Sequence, residues 1–301
     1  MSWRFLMLLF LTAIAACYDH DQEFTFHRHL KLDGVSEIDE TGTVKRINAP
    51  GHHTGQVLYS LPFEFKHPST NSVSFSTTFV FSMNFRFPVM SRDGITFFIS
   101  SKKPLPLATS SDYESTHIFS VVFSTRIKYT EGFIDTNDTL LEINEKDTTL
   151  ISSSPLGFFS DMDGYLQKVD LAEGEPFQVW IEYDGIEKML NVTLSPLSVP
   201  KPSRPLLSVA EDLTPRISKN MYIGISTCDQ PNLSGHYITG WSFKVNGPAQ
   251  EFDRSQLAMF NPLEESFIPL RNWKIIHVNC SCAHGAQATQ NRLKGTNNIV
   301  K

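Results

Sequence analysis

Four cysteines in 301 residues are too few, and too badly spaced, to staple a fold of this size. Cys17 falls at the end of an apolar leader, Cys228 stands alone, and Cys280 and Cys282 are separated by a single residue, so no disulfide framework is expected. Cys280, Cys282 and His284 resemble metal ligands in type but have no fourth partner nearby, and an incidental polar tail is the reading preferred. Basic residues form no dense run, and the net charge is −6 with a pI near 5.9. That excludes the electrostatic footprint of nucleic-acid binding. Beyond the leader no apolar run approaches the roughly 20 residues needed to cross a bilayer. Amphipathic helical periodicity is also scarce, and only Leu207 to Ile217 has room for a helical turn or two.

The leader itself is distinctive. Met1 to Arg4 supplies one positive charge, FLMLLFLTAIAA follows, and small residues stand at Ala13, Ala15 and Ala16. This is the layout of a secretory signal peptide, with cleavage expected between Ala15 and Cys17 and residues 1–16 removed. Four sequons fit the same route, at Asn137, Asn191, Asn232 and Asn279. The expected location is extracellular, the apoplast if the source is a plant, with no membrane span left in the mature chain.

Apolar residues make up 41% of the chain and Phe alone occurs 23 times, enough to fill a full core. The runs VLYSLPFEF, SVSFSTTFVFSMNF, GITFFISS, FQVWIEYD, MLNVTLSPL, NMYIGISTC and HYITGWSFKV are short, aromatic and alternating, and Pro and Gly turns separate them. SEIDETGTVKRI turns at Thr41-Gly42 between two further strands. The pattern predicts an all-β sandwich of about a dozen strands in antiparallel sheets. Core candidates are Phe75, Phe79, Phe81, Phe97, Phe123, Trp180, Tyr222, Trp241 and Phe243. From Gly247 the alternation fades. Ser266 to Val278 is apolar enough to pack somewhere, while the tail, residues 263–301, is expected to be largely disordered.

The stretch His117 to Leu150 draws most attention. Ile118 to Thr125 reads as a strand covered on both faces, and a long polar loop, Arg126 to Thr139, is expected after it. Glu131, Asp135, Asn137 and Asp138 in that loop are oxygen ligands of the kind hard cations take, and equally the make-up of a solvated acidic turn. Glu37 and Asp39 lie on one strand face like the paired carboxylates of jelly-roll glycoside hydrolases, but the third place of such a ladder is Thr41. Solvent-facing polar positions are the preferred reading there, and no enzyme is expected.

Taken together, FSTTFVFSMNF, DGITFFIS, VVFST, VWIEYDGIEKMLNVTL, NMYIGIST and HYITGWSF resemble the successive core strands of the legume-type (L-type) lectin domain. The similarity is strongest to the extracellular domains of plant lectin receptor kinases, without the kinase. It runs from about Phe24 to Pro262, within a domain placed at residues 17–262. The resemblance implies a concanavalin-like jelly roll of two antiparallel sheets with sugar-binding loops on one rim. In that family the strand here reading VVFST has Glu and Asp at its second and fourth places, binding a transition metal and calcium. Here those places hold Val122 and Ser124. The family's aromatic and Asn of the next loop fall on Arg126 and Lys128, and its metal-closing His falls on Leu140; only Asp135 matches a ligand. Two cations and two lost carboxylates would leave a divalent ion with repulsion and few oxygens, so neither calcium nor manganese is expected to be held.

Sugar contacts implied by the resemblance reduce to Asp93 and Asp135. Arg92 precedes Asp93 where a small residue is usual, and no Gly stands between Pro104 and His117. The expectation is therefore a secreted lectin-like carbohydrate-binding module whose metal-dependent sugar binding is weak or lost. The alternatives are a receptor-ectodomain-like interaction module or decoy and, less favoured, a jelly-roll glycoside hydrolase. Partners would be glycans or a cell-surface receptor, and family members commonly form homodimers through the back sheet.

Overall fold

A computed structural model of the chain describes residues 23–26, 30–31, 35–38, 44–47, 55–65, 72–85, 94–103, 117–130, 133–145, 149–171, 174–228 and 234–257. These residues form β1 (Glu23–Phe26), β2 (Leu30–Lys31), β3 (Val35–Ile38), β4 (Val44–Ile47), β5 (Gln56–Tyr59), β6 (Phe63–Glu64), β7 (Phe75–Phe85), β8 (Gly94–Ser100) and β9 (His117–Thr130). The chain continues through β10 (Phe133–Glu145), β11 (Thr149–Pro155), β12 (Gly157–Phe159), β13 (Leu166–Lys168), β14 (Phe177–Asp184), β15 (Met189–Pro196), β16 (Leu207–Ala210), β17 (Asn220–Cys228) and β18 (Ser234–Val245). One short helix, α1 (Arg254–Leu257), closes the described chain.

Two sheets hold nearly all of these strands. The back sheet runs β1-β18-β7-β14-β15-β16, and the front sheet runs β11-β10-β9-β8-β17-β5-β3-β4. All pairings are antiparallel except β3 with β5. A separate hairpin joins β12 to β13.

Side-chain alternation explains how the sheets meet. Along β7, Phe75, Phe79, Phe81 and Met83 point into the inter-sheet core, while Ser76, Thr78, Val80 and Ser82 point the other way. Along β9 the inward set is Phe119, Val121 and Phe123. Phe123 of the front sheet meets Phe79 edge-on at 6.1 Å and Phe81 at 5.8 Å, so aromatic contacts carry the packing from one sheet to the other. Trp241 is fully buried, and its Nε1 donates to Thr77 Oγ1 at 3.0 Å, which satisfies a polar atom that burial would otherwise strand.

Several expectations need correction. Tyr222 is not in the core: on β17 the inward set is Met221, Ile223 and Ile225, so Tyr222 falls one residue out of phase and is half-buried. Trp180 is buried, but on the back sheet's outer face, because Val179 and Ile181 take the inward positions of β14. Leu207 to Ile217 begins as strand β16, paired with β15, and makes a helical turn only at its end, where Ile217 N donates to Leu213 O at 3.1 Å. The strands number 18 among the described residues rather than about a dozen, since short edge strands such as β2 and β6 add to the sheets.

The largest correction concerns the segment after Thr125. No long loop opens there: β9 continues to Thr130 and returns from Phe133 as β10, with a register shift between Asp135 and Asp138. The β-formers Ile127, Tyr129, Phe133, Ile134, Thr136 and Thr139 favour a paired extension, and the shift absorbs an extra residue as a bulge. Ser266 to Val278, and the tail expected to be disordered, lie outside the described residues.

Candidate functional site

The sandwich leaves the front sheet with an outer face whose composition follows from the inward set. Because Val121, Phe123, Leu141 and Ile143 face the core, Val122, Ser124, Leu140 and Glu142 face outward. Register then fixes the neighbours. Val122 lies between Thr96 and Glu142, and Ser124 lies between Gly94 and Leu140. Thr96 continues the row to Ser226 and then Gln56. One row across five strands therefore reads Gln56, Ser226, Thr96, Val122, Glu142.

This face is polar yet covered. Val122, Ser124 and Glu142 are each 7% exposed, and Gln56, Thr96 and Ser226 are buried with them. Gln56 Oε1 has no hydrogen-bond partner. Val122 and Glu142 are direct cross-strand partners, which puts their Cβ atoms about 5 Å apart. Chemically, the centre of the face offers one carboxylate, the hydroxyls of Ser124 and Thr96, and the methyls of Val122. Among the described residues no three His, Cys, Asp or Glu side chains gather.

The adjoining row shows why a glycine stands at 224. Gly224 is flanked by Phe98 and Leu58, both outward and fully buried. A methyl at this position would lie 2.3 Å from Phe98 Cζ and 2.7 Å from Leu58 Cδ2. Gly224→Ala should therefore cost about 1–3 kcal/mol by overpacking, read from urea unfolding. Shortening the facing ring with Phe98→Leu in the same chain should return part of that loss.

The expected site residues are distributed as follows. Val122, Ser124 and Leu140 come together on adjacent strands, with Ser124 directly opposite Leu140. Asp135 is not beside them in the register: it pairs with Lys128 further along the β9–β10 hairpin, and Asp138 pairs with Arg126. Asn137 falls within the register shift. Asp93 lies outside the described residues, which resume at Gly94 opposite Ser124. Glu37 sits on β3 in register with Lys45 and Leu58, whereas Asp39 and Thr41 lie outside the described residues. Asn191 is half-buried on β15, and its Oδ1 accepts a 2.6 Å hydrogen bond from Ser208 Oγ. Asn232, Asn279, Cys280, Cys282 and His284 are outside the described residues.

Comparison with known proteins settles the family. The model of the legume lectin domain matches residues 21–259. The chain belongs to the legume lectin domain family. This lectin domain is 35% identical to the L-type lectin-domain containing receptor kinase V.9 of Arabidopsis thaliana over 84% of its own chain and 39% of that protein. It is 34% identical to receptor kinase IV.1 of the same plant, covering 76% of its own chain and 35% of that protein. It thus spans between a third and two fifths of the length of these curated relatives. Among solved structures, basic winged bean lectin with Tn-antigen aligns at a TM-score of 0.50 and 19% identity, over 74% of this chain and 98% of that one. Lectin II from Ulex europaeus aligns at 0.50 and 18% identity, over 75% and 98%. The fold is a jelly-roll sandwich, as the resemblance to the lectin domain implies; the strand pattern alone predicts the antiparallel sandwich.

Glu142 is the residue that sequence reading passed over. The signal was available in LEINE, where Leu141 and Ile143 alternate with Leu140, Glu142 and Asn144. Once the apolar pair is inward, the Glu must face the same side as Val122.

Proposed function

We propose that this lectin domain is a secreted carbohydrate-binding module in which the family's metal-dependent mode of sugar binding is weak or lost. The observation that carries the reading is the outward row of β9 and β10. Val122 and Leu140 supply no donor oxygen, and Ser124 supplies a neutral hydroxyl where an anionic ligand would be needed. Glu142 returns one carboxylate beside Val122, but a hard dication taking six to eight oxygens would still want several more protein oxygen donors, and Val122 and Leu140 offer none. Asp135, paired with Lys128, stands further along the hairpin.

A glycan array run with and without calcium and manganese tests the proposal. The expected profile is the same in both conditions, and sugar binding that appears only with the ions would overturn it. Thermal melting gives an independent check. Melting in excess EDTA should match melting in millimolar calcium and manganese to within about 1 °C, against the roughly 5–10 °C that a site saturated a hundredfold would add. Similarity to receptor kinases supports a second reading, an interaction module or decoy that recognises a cell-surface receptor. Sugar-independent capture of one defined receptor ectodomain would favour it. The leader and the sequons support secretion, and among the described residues no helix is long and apolar enough to cross a membrane.

A further inference from the structure

The back sheet carries a cover made from its own chain. At Asn246 the backbone turns through positive φ, 55°, a conformation Asn tolerates better than most residues. That turn is pinned by Asn246 N donating to Ser74 O at 2.8 Å and by Ser74 N donating to Asn246 Oδ1 at 3.1 Å. From there residues 247–257 cross the sheet's outer face instead of leaving it.

The crossing is anchored strand by strand. Over β7, Ser76 Oγ donates to Gly247 O and accepts from Ala249 N. Over β18 and β1, Gln250 N donates to Ser242 Oγ at 2.8 Å and Thr25 Oγ1 donates to Gln250 Oε1 at 2.8 Å. Over β14, Glu251 accepts from Trp180 Nε1 at 2.8 Å and from Gln178 Nε2 at 3.2 Å. Arg254 then stands 5.5 Å from the Trp180 ring centroid, and its guanidinium donates to Val199 O. Phe252 and Leu257 bury themselves against Val80 and Leu197, forming a second apolar cluster distinct from the inter-sheet core.

Size decides the consequence. The six strands from β1 to β16, about 4.8 Å apart and each about eight residues long at about 3.3 Å per residue, give the face a flat footprint of roughly 750 Å². A standard interface needs about 800 Å² from each partner. A back-to-back pairing would therefore draw on much of this face, and the strap is anchored across four of its strands, from the edge strand β1 to β14. We infer that residues 247–257 act as an intramolecular stand-in for a second sheet, closing the back sheet to another copy of this chain. Lifting the strap would uncover Val80, Trp180 and Leu197 and let two copies associate through them.

The test uses the full mature chain and reads mass by light scattering during size-exclusion chromatography. The wild type should be monomeric at micromolar concentration. The double variant Phe252→Asp, Leu257→Asp should double in mass at the same concentration, with red-shifted emission from Trp180. Should that variant fail to fold, Glu251→Ala with Arg254→Ala removes only polar anchors and should shift the monomer–dimer equilibrium in the same direction. A folded, strap-lifted variant that remains monomeric overturns the inference. So does a wild-type dimer that Ser208→Arg, on the outer face of β16, abolishes.

Discussion

Val122→Glu is expected to destabilise the lectin domain by roughly 3–5 kcal/mol, the range reached when an uncompensated charge is buried. Two terms combine. Val122 is 7% exposed, so its replacement must desolvate a carboxylate at a covered position. The new group also faces Glu142 directly across the β9–β10 ladder, where like charges oppose each other about 5 Å apart. Val122→Gln separates the terms, because it introduces a polar side chain of the same length without charge and should cost clearly less. The pH dependence has a defined sign. Repulsion and burial both raise the carboxyl pKa in the folded state above its unfolded value, so the Glu variant should regain stability relative to wild type as pH falls from 7 towards 5. Millimolar calcium or manganese should restore little of the loss, and adding Ser124→Asp should not change that, since Leu140 still contributes no donor. Metal-dependent recovery of the wild-type melting temperature by Val122→Glu alone would mean that Glu142 and its neighbours already form most of a cation site, and the proposed function would then need revision.

The parts of this fold that period-two patterning controls were legible from sequence, and those that depend on phase or register were not. Phe75, Phe79 and Phe81 share one parity in a long alternating run, and their inward placement follows directly. In MYI and VWI, residues 221–223 and 179–181, consecutive positions are all apolar or aromatic, so either parity could have been buried. The structure chose Met221, Ile223 and Ile225 over Tyr222, and Val179 and Ile181 over Trp180. The β9–β10 hairpin was hidden because its acidic residues imitate a loop while its alternate positions keep β-formers. The strap was hidden for another reason. EFDRSQL has neither helical nor strand periodicity, and its place is fixed only by partners far away in sequence, such as Thr25 and Trp180. For the site, Val122 and Ser124 were identified from resemblance alone. The facing carboxylate of Glu142 emerged only once the β9–β10 register was known.

The other large effect expected is a loss of stability in mild acid that traces to one buried imidazole. His236 on β18 pairs with Met83 and shares the parity of Ile238, so it points toward the inter-sheet core. It is 1% exposed and neither ring nitrogen has a hydrogen-bond partner. Burial without a partner penalises the charged form and pushes its pKa down from 6.5 to about 4. The unfolded chain therefore takes up a proton near pH 6.5 that the folded chain refuses until about pH 4. Within that window the unfolded state binds more protons, so stability rises with pH and is lost as pH falls. The loss attributable to His236 should approach roughly 3 kcal/mol by pH 4, at about 1.4 kcal/mol for each unit of separation. His236→Leu removes both stranded nitrogens and the titration together, so it should be at least as stable as wild type at pH 7.5. Carboxylates elsewhere titrate in both proteins and cancel in the difference. Urea unfolding at steps between pH 7.5 and 4 should then give curves that diverge steadily below about pH 6.5, the Leu variant being the more stable. Parallel curves would mean that the imidazole takes up its proton in the folded state as readily as in the unfolded one, and that it has found an acceptor or a path to water.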